Sequence, residues 1–429
     1  MNDDIRETIG GIPLPPELSE RSRLGIERAR SERRRGRSRR WYAATAAVVL
    51  GLALFTLALT DAQVRAAIQK ALQFVPGIGV MDDGRDQDAG ADRLVLAEPI
   101  RLQFGEGEFV ITGMSVDDQM TYLTFTEKNA RIPQSVRITN EKGESFDVSI
   151  SMYAGSSTEK TGSYWHKGKL DIGRTATLVF DAYPDTVVPL KLTPAPNYRS
   201  YEEMGPTQSQ GGVSVTAVAS RVGDRARITL VTPSSQDYYV DDYMVGSAIR
   251  PGRQLTVADD TGKTLAIEPE RGTGAPLRTF YFPLFDDGSD RTYRITVPEI
   301  EVSYPIPTAR LRLPIPAQGS LEIGQTVELA GFPITVTRVE RTDTTTLRVY
   351  VDLHFDENDE RSLRDFRLDG IGSMAKMNET TWATEFFEFE IDPGDKKAEV
   401  TLSDAEAIVR GPWTFTLGAK NFSQTPPSP

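Results

Sequence analysis

Between Arg33 and Thr60 the chain reads RRRGRSRRWYAATAAVVLGLALFTLALT: six arginines in eight residues, then twenty residues, Trp41–Thr60, without a charge. At about 1.5 Å rise per residue a helix of that length spans about 30 Å, the thickness of a bilayer's hydrocarbon core. A run this long and this apolar is therefore expected to cross a membrane. Trp41 and Tyr42 stand at its basic edge, where amphipathic rings favour the headgroup layer.

Charge sets the expected orientation. Residues 21–40 carry ten arginines, among them Arg33, Arg34, Arg35, Arg37, Arg39 and Arg40, whereas residues 61–80 carry only Arg65 and Lys70. The positive-inside rule then places the N-terminus in the cytoplasm and the remainder outside, as a single-pass protein of the cell membrane. The same arginines attract anionic lipid. Two rival readings are weaker. A cleaved export signal is suggested by Thr60–Ala62 and by the twin arginines in Ser38–Tyr42, but such signals have apolar regions of about 7–15 residues. A nucleic-acid patch conflicts with the proximity of these arginines to the bilayer.

The charge is divided. Residues 1–40 carry net +4 and the other 389 net −16, so the larger part is no partner for DNA or RNA. The absence of cysteine removes disulfides, thiol catalysis and cysteine-ligated metals. With only His166 and His354, imidazole chemistry is sparsely equipped.

Six segments follow along the chain. Residues 1–40 form a basic cytoplasmic tail. Pro15 and Pro16 suit a helix start, and Leu14, Leu18 and Ile26 give a thin apolar stripe for a partner. Residues 41–60 are the span. In residues 61–92, Val64, Ile68, Leu72 and Val75 recur at helical spacing up to Pro76-Gly77, predicting a juxtamembrane amphipathic helix followed by an acidic linker. From Leu94 onward, short alternating runs of Val, Ile, Thr, Phe and Tyr give a β pattern. Gly107–Thr126, Gly211–Thr232 and Gly331–Leu353 resemble one another, with Thr112, Thr216 and Thr337 in matching places. The expected fold is mainly β: three tandem immunoglobulin-like sandwiches at 93–197, 208–312 and 319–424.

Catalytic signals are poor. Ser157 and Lys160 form S-x-x-K, and Lys160-Thr161-Gly162 forms K-T-G, but penicillin-binding enzymes supply those lysines from separate elements. Here one lysine would serve both, which points to a polar turn and to no enzyme. Asp352, Asp356 and Asp359 are weak calcium candidates in an acidic loop that lacks full EF-hand spacing. No cofactor is implied. In the pairs Tyr238/Tyr239 and Phe386/Phe387, one ring is expected in the core and its neighbour in solvent.

Pro15, Pro16, Glu17, Leu18, Gly25, Ile26, Ala29, Pro76 and Trp413, together with the arginine-rich stretch and the span, resemble the anti-sigma-factor-like single-pass membrane proteins of Gram-positive bacteria. These carry a domain of unknown function shared with regulators of extracytoplasmic-function sigma factors. The resemblance implies that the tail before Arg33 binds a sigma factor and that the β region senses an extracytoplasmic protein or cell-wall ligand. The alternative is a structural or adhesive envelope protein with no cytoplasmic partner.

Overall fold

A computed structural model of the chain describes residues 74–80 and 93–422, less positions 119, 156–157, 196–197, 199, 234, 236, 248–249, 251, 271–275, 286–290, 306–307 and 370–371. The span Trp41–Thr60, the arginines before it and the tail with Leu14, Leu18 and Ile26 lie outside the described residues. Among those described, no helix is long and apolar enough to cross a membrane. The described chain is mainly antiparallel strand, as the alternating pattern predicts.

Three cores organise it. The first lies within a ten-stranded sheet that begins at Leu94–Val95 and ends at Thr193–Pro194, two strands that pair with each other. Phe109 stacks on Phe125 at 4.8 Å and meets the edge of Phe180 at 4.7 Å inside it. Each such ring, fully buried, contributes about 1.5–3 kcal/mol of transfer free energy.

The second core lies between two sheets. One holds Thr207–Gln210, Val213–Val222, Arg225–Val231, Thr279–Pro283 and Glu268–Pro269. The other holds Thr256–Asp259 and Tyr293–Tyr304 together with the final strand, Lys397–Leu417. That final strand has 21 residues. Its second half pairs with Tyr293–Tyr304 in the second core, and its first half pairs with Ala309–Pro314 in the third. The third core is closed by the sheet Gly319–Leu329, Phe332–Arg341, Thr346–Asp352, Thr384–Glu390 and Ser373–Met377.

The repeat-based boundaries at 312 and 319 are thus bridged. Val409, Trp413, Phe415 and Leu417 fill the second core, although they follow the third module's strands in sequence. Trp413 is fully buried and its indole N–H donates to the Val213 carbonyl at 3.0 Å. Alternation reveals which face of a strand is apolar, but not which distant strand completes the sheet.

The internal repeat has a structural counterpart in two of its three copies, while Thr216 stays in regular register. Thr112 and Thr337 each sit at a register shift, between Ile111 and Gly113 and between Val336 and Arg338. A bulge leaves one residue outside the ladder and re-aims its backbone. Arg361–Asp369 is strand and pairs with the final strand.

Candidate functional site

The predicted juxtamembrane helix is corrected at its described end. Val75 is not on a helix: Phe74–Val75 and Gly79–Val80 form a small antiparallel hairpin. The turn closes through Ile78 N–H donating to the Val75 carbonyl at 3.0 Å. Gly77 and Gly79 have φ of +81° and +110°, a region glycine enters without a Cβ penalty. Val75 shares the helical spacing of the four apolar residues but lies on a strand. Val64, Ile68 and Leu72 lie outside the described residues.

The hairpin is buried between the first and second cores. Phe74 is 2 % exposed and packs with Met120, Tyr122 and Trp165 of the first unit, meeting the Tyr122 ring edge-on at 5.4 Å. Gly113 makes room for it: a Cβ there would lie 2.7 Å from the Phe74 ring. Val75, on the adjacent position, packs with Met204, Val218 and Val231 of the second unit. The Phe74 carbonyl accepts a hydrogen bond from Arg278 at 2.8 Å. Successive residues of a strand point to opposite sides, so two side chains of one strand reach two different units.

Buried charge reinforces the joint. Arg227 is 1 % exposed and donates to the Glu270 carboxylate at 2.8 Å and to the bulged Thr112 carbonyl at 2.9 Å. The Tyr281 hydroxyl donates to the other Glu270 oxygen. Burial opposes the Arg227 charge, but Glu270 and Tyr281 outweigh it, and its pKa lies above the ordinary value. Burial drives the Arg278 pKa down. Between the expected modules 93–197 and 208–312 lies the short helix Tyr201–Met204, whose Met204 plugs the same joint.

Beside the hairpin opens a cleft of about 900 Å³. Its walls include the turn residues Gly77 and Ile78, Glu98 from the first unit, Glu202 from the short helix, and Ala219 and Arg221 from the strand Val213–Val222. Glu98 and Glu202 are exposed. The Glu202 carboxyl is held below its ordinary pKa by a hydrogen bond from its own backbone N–H, with the Ser200 hydroxyl adding to it.

The acidic loop at the other joint is occupied with local and latch contacts. Asp352 accepts from the backbone N–H of His354, and Asp356 from that of Asn358, each at 2.8 Å. Asp359 contributes its carbonyl to Arg410. Their neighbour Glu357 binds Arg250 through both oxygens at 2.8 Å, while the buried Arg250 also pairs with the buried Glu299. The loop therefore latches the third unit to the second. Among the described residues, no group of three or more His, Asp and Glu is placed to hold a metal ion.

The other nominated residues are also placed. Lys160 pairs with the buried Glu127 across the strands at 3.6 Å, and Ser157 lies outside the described residues. His354 falls past the end of the strand Thr346–Asp352, with φ of +50°. Phe387 is buried while Phe386 is not, and Tyr239 is 46 % exposed. Sequence reasoning missed Arg227, Glu270, Arg250 and Glu299. The usable signal was a charge inside an apolar strand, as in ARITLV, where Arg227 interrupts a run buried on both faces.

A third cluster lies on the shared sheet. Arg364 contacts Glu301 and, at 2.6 Å, Glu406, and the Ser303 hydroxyl donates to Asp241. Burial raises the Asp241 pKa to about 6 and that of Glu406 to about 7.

No family model matches the chain, and no curated protein does. Among solved structures it is similar to pullulanase from Anoxybacillus sp. LM18-11, alone and complexed with maltotriose, at 12 % identity and TM-score 0.16. That match covers 42 % of this chain and 23 % of the pullulanase chain. It is also similar to a conserved domain protein from Bacillus anthracis at 9 % identity and TM-score 0.18, over 50 % of this chain and 80 % of that one. Neither likeness says what this chain does.

Proposed function

We propose that the chain is a single-pass membrane protein whose β region works outside the membrane as a sensor or interaction region. Its hairpin Phe74–Val80 is the grip by which that region holds the chain emerging from the span. The carrying observation is the position of the hairpin: Phe74 follows Thr60 by fourteen residues, yet is buried between two cores. A rearrangement of the first two cores is thereby transmitted to the segment next to the bilayer. The Trp41–Thr60 run and the arginine asymmetry support the topology. The three β units are read as immunoglobulin-like sandwiches, supported by the facing sheets and the repeat of about a hundred residues, with the last strand shared between two of them.

On the cytoplasmic side, the tail with Leu14, Leu18 and Ile26 is proposed to bind a sigma factor, for which the resemblance is the support. The test has two readouts in cells carrying a C-terminal epitope tag. Protease added to intact cells should digest the tagged bulk. A sigma factor should co-purify with the full-length chain and be lost from a Leu14→Ala/Leu18→Ala/Ile26→Ala variant. Survival of the tagged bulk ends the topology, and absence of the partner ends the signalling role.

The adhesive or structural reading draws on one observation, the 21-residue strand that ties the second and third cores together. It would be favoured by protease accessibility without any cytoplasmic partner.

A further inference from the structure

The carboxylates on the shared sheet are gathered by two bulges. The strand Tyr239–Asp242 pairs with Tyr293–Tyr304 at Tyr239 opposite Ser303 and Val240 opposite Val302, then resumes at Asp242 opposite Glu301, which leaves Asp241 outside the ladder. Farther across the sheet, Arg361–Asp369 pairs with the final strand at Leu363 opposite Ala407 and Asp365 opposite Glu406, which leaves Arg364 outside. A bulge re-aims the residue it leaves unpaired. Between these two strands, Ser303 and Glu406 are themselves cross-strand partners. Asp241 accepts from the Ser303 hydroxyl on one side, and Arg364 pairs with Glu301 and Glu406 on the other. Positive charge is scarce here. Asp241, Asp242, Glu301 and Glu406 all depend on the one guanidinium of Arg364, and Asp365 repels Glu406 from the neighbouring strand. Arg367 is taken up by Asp369 and Asp404.

We infer that the strand Tyr239–Asp242 is a pH-released clasp, paired while Asp241 and Glu406 hold protons and let go as both ionise. Once ionised, Asp241 meets Glu406 and Asp242 with no cation of its own, because Arg364 is already engaged by Glu301 and Glu406. Like charges in a half-buried site repel, and the cheapest relief is to move the least anchored element. That element is this strand: it has four residues and, among the described residues, pairs with one neighbour. The Ser303 hydroxyl and Arg364 oppose the rise in the Asp241 pKa, but burial outweighs them and carries it to about 6, with Glu406 at about 7. A raised value means that the contact is intact at low pH and lost as pH rises through it. Asp242 is held by the Met244 N–H and by Ser247, and the Tyr239 phenol is pushed up, away from the window. Departure of the strand withdraws Val240 from the second core, beside Tyr304, which borders the second and third cores alike. Use of the clasp to sense acidity outside the membrane rests on the proposed function, but the release itself does not.

The test is amide hydrogen exchange of the full-length chain in detergent at pH 5.5 and pH 8, with each rate corrected for the intrinsic pH dependence of exchange. The control is Thr256–Asp259, which pairs with the other half of Tyr293–Tyr304. Protection of Tyr239–Asp242 should fall about fivefold or more between the two pH values, beyond any fall in the control. Asp241→Asn, uncharged at both, should remove that excess, and Glu406→Gln should reduce it. Should Asp241→Asn fail to fold, Glu406→Gln makes the same comparison from the final strand. Equal protection of Tyr239–Asp242 at both pH values overturns the clasp. So does a loss that Thr256–Asp259 shares in full, which would mark a global effect. An excess that survives the substitutions overturns its assignment to these carboxylates. Because detergent-solubilised protein is used, failure here leaves the topology reading untouched, and failed cell-surface proteolysis leaves the clasp untouched.

Discussion

Arg278 donates a hydrogen bond of 2.8 Å to the carbonyl of Phe74, which lies 204 positions earlier in the chain. The bond ties the second unit to a hairpin whose ring is seated in the first. Phe74→Ala should therefore loosen both contacts at once. Removing a buried phenylalanine costs about 3–5 kcal/mol where the site cannot collapse. Hydrogen exchange should show faster opening of residues 74–80 and of Tyr201–Met204, with the core around Phe109 and Phe125 unchanged. Uniform destabilisation of all three cores would contradict a hairpin that acts at one joint.

Gly113 offers a second and independent test of the same seat. Its φ is not in the left-handed region, so alanine is opposed there by packing, first by the Phe74 ring 2.7 Å from the added methyl and then by the Pro76 Cβ at 3.2 Å. Gly113→Ala should displace the hairpin, and overpacking of this kind costs about 1–3 kcal/mol. In the Phe74→Ala background the same substitution should cost clearly less, with only the Pro76 Cβ at 3.2 Å left to give way. A double-mutant cycle by urea denaturation measures the coupling. Additive effects would mean that the two positions do not share one cavity.

The cores were legible in the sequence where alternation is strict. Phe109, Ile111, Phe125 and Ile334, Val336 were placed by period-two patterning, and the repeat located their strands. The hairpin was not legible. Pro76-Gly77 was visible as a break, but a two-residue strand carries no periodicity, and the apolar residues before it fit a helix equally well. The joint was hidden for another reason. Arg227 and Arg250 are charges whose compensating carboxylates lie 43 and 49 positions away, so even where an apolar strand flags the arginine, as at Arg227, the sequence does not show its partner. The same holds for Lys397–Leu417, whose two halves serve two cores.

Arg227 and Glu270 should behave as a pair. Arg227→Met strands a buried carboxylate and removes the donor to the bulged Thr112 carbonyl. Loss of one partner from a buried pair costs about 3–5 kcal/mol, while replacing both with apolar residues is often close to neutral. Arg227→Met/Glu270→Leu should therefore be more stable than Arg227→Met alone, as read by chemical denaturation of the full-length chain. If the double variant is the less stable of the two, the carboxylate is held chiefly by something other than Arg227.

The carboxylates on the shared sheet give a pH dependence whose sign can be worked out. Burial raises Glu406 from an ordinary 4.5 to about 7 and Asp241 from 3.8 to about 6, with Arg364 partly opposing both shifts. Glu301, Asp365 and Asp404 add repulsion at Glu406, and Asp242 adds it at Asp241. Between about pH 4 and pH 7 the folded chain thus holds more protons than the unfolded one, and stability falls as pH rises through that window. Aspartates with lowered values, Asp259, Asp343 and Asp356, act in the opposite sense, but only near and below about pH 4, so they leave the window clear. Urea midpoints of the full-length chain should be higher at pH 5.5 than at pH 8. Glu406→Gln, neutral at both, should flatten most of that difference by stabilising the chain at pH 8. A midpoint that rises from pH 5.5 to pH 8 would show that Arg364 holds these carboxylates ionised, with their affinities for protons lowered instead of raised.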